Sequence, residues 1–284
     1  MADDELRRGS LDGAPARIVA GRQTRPDRPA EECPFCPGGS AAPATYDVHH
    51  FVNNWPPLPD DRAEVVLYHP DHDLSFAELD PPHARKVIDL WAERSRVLGS
   101  RDDVSHVLVF ENRGAAVGAT IDHPHGQIYA FAEVPPAVVT EYDNISDDAF
   151  AIDPELLVAT NGAWSASIPN APKWPFELLL APDVEVADLP SLDGSQRDSF
   201  AALLVDVLGR LDALFDEPMP YMLWIHQRPF DGIERRPIRV HAHIAPLLRG
   251  PGTARYVAAG ELGSGVWFDP VDPVDAAARL RALR

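Results

Sequence analysis

One order of segments occurs twice along this chain, and nothing else in it constrains the fold as strongly. The order is strand, helix, strand, then a strand bearing H-x-H. In the first half, AEVVLYHP (63–70) reads as a strand. PPHARKVIDLWAERSRVLG (81–99) sets Val87, Leu90, Trp91, Val97 and Leu98 near helical spacing. VSHVLVFEN (104–112) and GQIYAFAEV (126–134) read as strands, the second following His123 and His125. In the second half, PFELLLAPD (175–183) is a strand. A helix over 195–215 puts Phe200, Leu203, Leu204, Val207, Leu208 and Leu211 on one face, with Ser195 as its predicted N-cap. YMLWIHQ (221–227) and IRVHAHIAPLL (238–248) then repeat the last two strands, with His241 and His243 in the H-x-H frame. Helix and strand alternate in any α+β protein, but two H-x-H frames at matching places point to duplication. A last helix is signalled by Asp272 and Pro273, and short strands by 157–160 and 164–168, whereas residues 1–30 show no periodicity.

Composition narrows the function classes. The formal charge is −19, which opposes binding to nucleic-acid phosphates. No apolar run approaches the roughly 20 residues that span a bilayer. The first ten residues lack the apolar core of a secretory signal, so a cytoplasmic protein is expected, with no membrane and no nucleic-acid partner.

Histidine and cysteine placement carries the chemistry. The two cysteines, Cys33 and Cys36, form C-x-x-C in a Pro/Gly-rich loop, where a metal knuckle is favoured over a redox pair. Tetrahedral zinc needs two further donors. His72 and His123 complete a Cys₂His₂ set, with His69 a rival to His72. The second half has no cysteine but offers His226, His241 and His243. Three imidazoles suit iron or zinc once a carboxylate joins them, and Glu141 is one candidate. His241 and His243 also admit a plain reading as hydrogen-bonded core histidines.

Six segments in order, FVNNWPPL, FENRGAAVGA, HPHGQIYA, WPFELLLAP, HQRPFDG and VHAHIAPLLR, resemble the galactose-1-phosphate uridylyltransferase family of the histidine-triad superfamily. The resemblance runs from about residue 20 to 262. It implies an α+β fold of two histidine-triad-like repeats, each an antiparallel half-barrel sheet with a packed helix, divided as 1–135 and 136–284. It implies that His125 is the nucleophile that takes a nucleoside monophosphate from a nucleotide sugar, with ping-pong exchange to a second sugar 1-phosphate. Gln127 stands where superfamily hydrolases have a third histidine; an amide donates to phosphoryl oxygen but is no general base.

By the same resemblance, Cys33, Cys36, His72 and His123 fall on a zinc site, and Glu141, His226, His241 and His243 on a second, iron-type site that also suits zinc. Asn53, Asn54 and Asn112 fall on nucleotide contacts, and Thr120 and Gln127 on phosphate contacts. Arg22 and Arg25 resemble residues that reach sugar phosphate in a homodimer partner's site, though two solvated loop arginines would look the same. Glu261 is kept in the C-terminal stretch, with Arg255 where the family has a lysine. The leading expectation is UMP exchange between UDP-glucose and galactose 1-phosphate. An ADP-glucose or dinucleoside-polyphosphate phosphorylase keeps the fold and changes the partners; a catalytically decayed metal-binding homologue keeps only the metals. A zinc hydrolase would need an open metal position.

Overall fold

A computed structural model of the protein describes residues 5–24, 32–146 and 148–283. Its centre is one nine-stranded sheet. In chain order the strands are β3 (His49–Val52), β4 (Ala63–Leu67), β5 (His106–Arg113), β6 (His125–Phe131), β7 (Leu157–Thr160), β8 (Trp164–Ser167), β9 (Leu178–Pro182), β10 (Tyr221–His226) and β11 (His241–Pro246). An exposed hairpin, β1 (Glu5–Arg8) and β2 (Pro15–Ile18), precedes them. The order across the sheet is β3-β4-β6-β5-β10-β11-β9-β8-β7, and every pairing is antiparallel.

That order contains the duplication. β4-β6-β5 recurs in mirrored sequence as β10-β11-β9, with β5 and β10 paired at the centre. Leu67 lies opposite His125 as Leu179 lies opposite His243, so the two H-x-H frames hold equivalent places. The two predicted sheets therefore join edge to edge as one.

One face of the sheet is covered by α1 (Pro81–Gly99) and α3 (Gly194–Ala213). Alternation along each strand decides what meets them. On β6, Gly126, Ile128 and Ala130 are buried, while His125, Gln127 and Tyr129 are half-buried on the opposite face. Trp91, Ile88 and Val87 of α1 and Phe200, Leu204 and Leu208 of α3 are fully buried in this core. The Trp164 ring stacks on Phe200 at 4.1 Å. Each such apolar side chain contributes roughly 1.5–3 kcal/mol on burial.

Helix starts follow side-chain capping. Asp80 accepts the His83 amide before the first-turn prolines of α1. In α3 the cap is Asp193, not the expected Ser195: Asp193 accepts the Gln196 amide while Gln196 reaches back to the Asp193 amide. The reciprocal pair satisfies two orphan donors, which one serine cannot do. α2 (Pro136–Asn144) and α4 (Ala259–Ser264) are short, and α5 (Pro273–Ala282) opens on the Asp272 cap. Among the described residues, no helix is long and apolar enough to cross a membrane.

Candidate active site and metal centres

The open face of the sheet carries the clustered histidines of both repeats. Over β4, the loop 33–46 lays Phe35, Ala41 and Ala42 on Val65 and Leu67. This packing brings the loop's two thiols to the H-x-H strand. Donor atoms of Cys33, Cys36, His72 and His123 all lie within 4.8 Å of one another. The Cys36 Sγ is 3.7 Å from His72 Nδ1 and 3.6 Å from His123 Nδ1. Tetrahedral coordination at about 2.3 Å to sulfur and about 2.05 Å to nitrogen requires S···N edges of about 3.6 Å, so the residues present fit such an ion.

The surroundings orient these donors. His123 Nε2 lies 2.8 Å from the His69 carbonyl and 2.7 Å from the Tyr46 hydroxyl, which turns Nδ1 toward Cys36. Burial holds the His123 imidazole down at about 4, so it is neutral and able to ligate. Burial, reinforced by Cys33, pushes the Cys36 thiol up to about 11, so a cation is needed to keep a thiolate there. The rival His69 does not join the cluster: its Nδ1 accepts the Asp71 amide.

Two residues on from His123, His125 faces a different task. Its Nδ1 donates 2.7 Å to the His123 carbonyl, which fixes the tautomer and puts the lone pair on Nε2. The Phe35 ring packs against the imidazole at 5.0 Å. Between His125 and Gln127, Gly126 has no alternative. A Cβ there would lie 2.0 Å from the Tyr68 hydroxyl and 2.9 Å from the Phe110 carbonyl. Gln127 Oε1 accepts from Tyr129 at 3.1 Å and from Asn53 Nδ2 at 3.4 Å, so the amide nitrogen of Gln127 is the end left to donate. A cleft of about 730 Å³ opens beside His125, with Asn112, Gly114, Ile121 and Asp122 in its wall.

The second centre sits on the same face, where β10 and β11 meet. His226 lies opposite His241, and Glu141 of α2 reaches over both. The two Glu141 oxygens lie 2.8 Å from His226 Nδ1. His241 Nε2 and His243 Nε2 are 3.4 and 3.5 Å from the same carboxylate. Burial opposes a charge on Glu141, but hydrogen bonds to His226, His241 and His243 hold it well below the usual carboxylate range. His243 Nδ1 is buried with no hydrogen-bond partner among the described residues, and its Nε2 has only the Glu141 carboxylate at 3.5 Å. Burial keeps its imidazole down at about 4. A charged carboxylate amid three imidazoles, all four donors within 4.8 Å of one another, fits a bound transition metal.

The remaining expected residues divide. Asn53 and Asn112 stand by the His125 face, Asn54 is exposed after β3, and Thr120 is half-buried in the loop before His123. Arg22 is half-buried in a short 3₁₀ turn (Ala20–Thr24), and Arg25 lies outside the described residues. Glu261 is buried; it binds Arg255 and the amides of Ala258 and Phe268. Arg255 in turn lies over the Trp174 ring at 4.7 Å. Two residues escaped the sequence reading. Tyr46 clamps His123, and Phe35 backs His125; the second was visible as the centre of C-P-F-C.

Fold and site define a class: a duplicated antiparallel α+β protein in which an oriented imidazole stands beside a Cys₂His₂ set and shares its sheet with a Glu-His₃ set. Sequence models of the galactose-1-phosphate uridyl transferase N-terminal and C-terminal domains match residues 60–135 and 139–261. A galactose-1-phosphate uridylyltransferase of Streptomyces lividans is 35% identical, over 100% of this chain and 88% of its own. One from Thermotoga maritima is 30% identical over 98% of each chain. A solved uridylyltransferase structure matches with a TM-score of 0.88 and 26% identity, over 98% of this chain and 97% of that one. The chain belongs to the galactose-1-phosphate uridylyltransferase family.

Proposed function

We propose that this protein moves UMP from UDP-glucose to galactose 1-phosphate by two displacements at His125. In the first, Nε2 attacks the α-phosphorus. The bond from that phosphorus to the bridging oxygen breaks, and glucose 1-phosphate leaves with the electron pair. In the second, a phosphate oxygen of galactose 1-phosphate attacks the same phosphorus and the P–N bond breaks, releasing UDP-galactose. The observation that carries this reading is the His125 Nδ1 bond to the His123 carbonyl, which aims the basic nitrogen away from the strand. Gln127, on the same face, donates to phosphoryl oxygen and cannot activate water, which favours transfer over hydrolysis.

In this reading Asn53, Asn54 and Asn112 hold the nucleotide, Thr120 holds phosphate, and Arg22 and Arg25 reach the sugar phosphate. Glu261 reaches substrate only when its pairing with Arg255 opens. Zinc held by Cys33, Cys36, His72 and His123 would be a closed, structural ion that fixes the H-x-H strand. Iron or zinc held by Glu141, His226, His241 and His243 would do the same for the second repeat. The two repeats, 1–135 and 136–284, would then share one catalytic site, in the first. Free Cys33 and Cys36 suit a reducing cytoplasm. The exposed Tyr256, Leu262, Trp267 and Phe268 suit a homodimer contact.

Initial-rate kinetics test the reaction. The expected result is a set of parallel double-reciprocal lines for UDP-glucose and galactose 1-phosphate, with ADP-glucose a poor donor. Intersecting lines would remove the covalent intermediate. Preference for ADP-glucose with phosphate as acceptor would move the protein to the phosphorylase reading.

A further inference from the structure

His123 is engaged at both of its ends. Its side chain belongs to the Cys₂His₂ set, with Nδ1 3.6 Å from the Cys36 Sγ. Its main-chain carbonyl accepts the bond from His125 Nδ1 at 2.7 Å. β6 begins at His125, so His123 stands ahead of the ladder that fixes that strand. The side-chain anchors of His123 therefore set where its carbonyl points.

Those anchors meet at one hydroxyl. His123 Nε2 lies 2.8 Å from the His69 carbonyl, which can only accept, so Nε2 carries the proton and Nδ1 the lone pair. The same Nε2 lies 2.7 Å from the Tyr46 oxygen, which shares that proton as a second acceptor. The Tyr46 hydroxyl then donates to the Phe35 carbonyl at 2.7 Å, with the His69 carbonyl at 3.2 Å. Phe35 lies between Cys33 and Cys36 in the chain, and its ring packs on His125 at 5.0 Å and on His123 at 6.1 Å. One phenol thus joins three pieces of chain: the thiol loop, the segment after β4 that carries His69 and His72, and the bend that presents His125.

We propose that Tyr46 is a positioning residue of the transfer reaction: its hydroxyl ties the thiol loop to His123 and, through the His123 carbonyl, holds His125 with its proton on Nδ1 and its lone pair on Nε2. This rests on nucleotidyl transfer at His125. Without the hydroxyl, the Phe35 carbonyl loses its donor and His123 Nε2 keeps one acceptor in place of two. The His123 imidazole loosens, and the carbonyl that orients His125 loosens with it. Two effects follow. The first cluster holds its ion less tightly, because an outer partner of a ligating imidazole is gone. His125 spends less time with Nε2 aimed at phosphorus, which slows the chemical step and leaves donor binding, carried by other side chains, nearly unchanged.

The test uses the full-length, metal-loaded protein and Tyr46→Phe, which keeps the ring and removes only the hydroxyl. Competition with a zinc chelator is expected to show one of the two metals held about 10-fold more weakly in the variant. Rapid-quench assays with UDP-glucose are expected to show nucleotidyl-protein forming about 10-fold more slowly, while the half-saturating donor concentration changes by less than about 2-fold. Nitrogen-15 NMR of the histidine side chains reads the link itself. The His125 ring is expected in the single Nδ1–H tautomer in the wild type and as a mixture of tautomers in Tyr46→Phe. A tyrosine with a purely structural role would lower Tm and leave both the adduct rate and the His125 tautomer alone, and that result overturns the proposal. So does a wild-type His125 already mixed between tautomers, a result that holds whether or not the variant folds. A wild type with the single tautomer that forms no nucleotidyl adduct overturns instead the reaction on which the proposal rests.

Discussion

The two H-x-H frames hold equivalent places, the first ending on the opening residue of β6 and the second lying on β11, yet their histidines are held differently. In the first repeat, His123 turns Nδ1 to the thiol cluster, and His125 anchors its own Nδ1 on the His123 carbonyl. In the second, His241 makes the matching carbonyl bond, to Arg239, one histidine earlier. Both His241 and His243 then point Nε2 at Glu141. The neighbours explain the split. Phe110 lies opposite Gln127, so the same register carried two residues on brings Asn112 beside His125. Trp224 lies opposite His243 and stacks on it at 4.9 Å with 14° between the rings. Where the first repeat has a small amide beside its imidazole, the second has an indole that fills the space. A duplicated strand thus keeps its imidazoles, and one cross-strand residue decides whether an imidazole lines the open cleft or is packed away.

The largest expected effect separates the two frames directly. His125→Ala lowers transfer by about 10⁴-fold or more while the fold persists. His243→Ala instead costs stability, lowering Tm by about 5 °C, and still forms a covalent nucleotidyl protein. Assays of transfer and calorimetry on the same preparations read both. A His243→Ala protein that forms no adduct would erase the contrast.

The next effect concerns the ions. Metal binding to the first cluster must displace thiol protons, and Cys36 sits near 11 before it binds. Lower pH therefore weakens that cluster, and release on acidification should precede loss of the thiol-free second centre. A metal-indicator titration from pH 8 to pH 4 follows the order, and simultaneous release would contradict it. Cys36→Ser should remove one equivalent of metal and leave the other in place.

A smaller effect tests the amide. Gln127→His restores a general base on the His125 face and should raise hydrolysis of UDP-glucose relative to transfer by about 10-fold. Free UMP measured by chromatography decides it, and an unchanged ratio would remove the protective role of Gln127. Smallest of all, Asp193→Ala should cost about 1 kcal/mol in denaturant unfolding by losing the α3 cap, against almost nothing for Ser195→Ala.

Much of this was legible in the chain because it is local. α1 occupies Pro81–Gly99, the span its apolar spacing marked out; β11 carries both histidines of its H-x-H frame, whereas β6 starts at His125 and leaves His123 in the bend before it. Asp272 caps α5 as expected. The missed features are short or distant. α2 has nine residues, too few for a clear period, yet it brings Glu141 to histidines about a hundred residues away. The β1–β2 hairpin is exposed on both faces and so has no apolar alternation to read. Arg255 looked like a replacement for a substrate-binding lysine, but it is buried against Trp174 and paired with Glu261. Tyr46 reaches His123 across 77 positions of sequence, a contact that only the folded loop 33–46 creates.

The most direct test of the central claim is to map the covalent adduct. The protein is incubated briefly with UDP-glucose, digested, and sequenced by tandem mass spectrometry under conditions that preserve the P–N bond. The account predicts UMP on His125 alone, with the His241 and His243 peptide unmodified and no adduct in His125→Ala. UMP on His243, or an adduct that survives in His125→Ala, would contradict it.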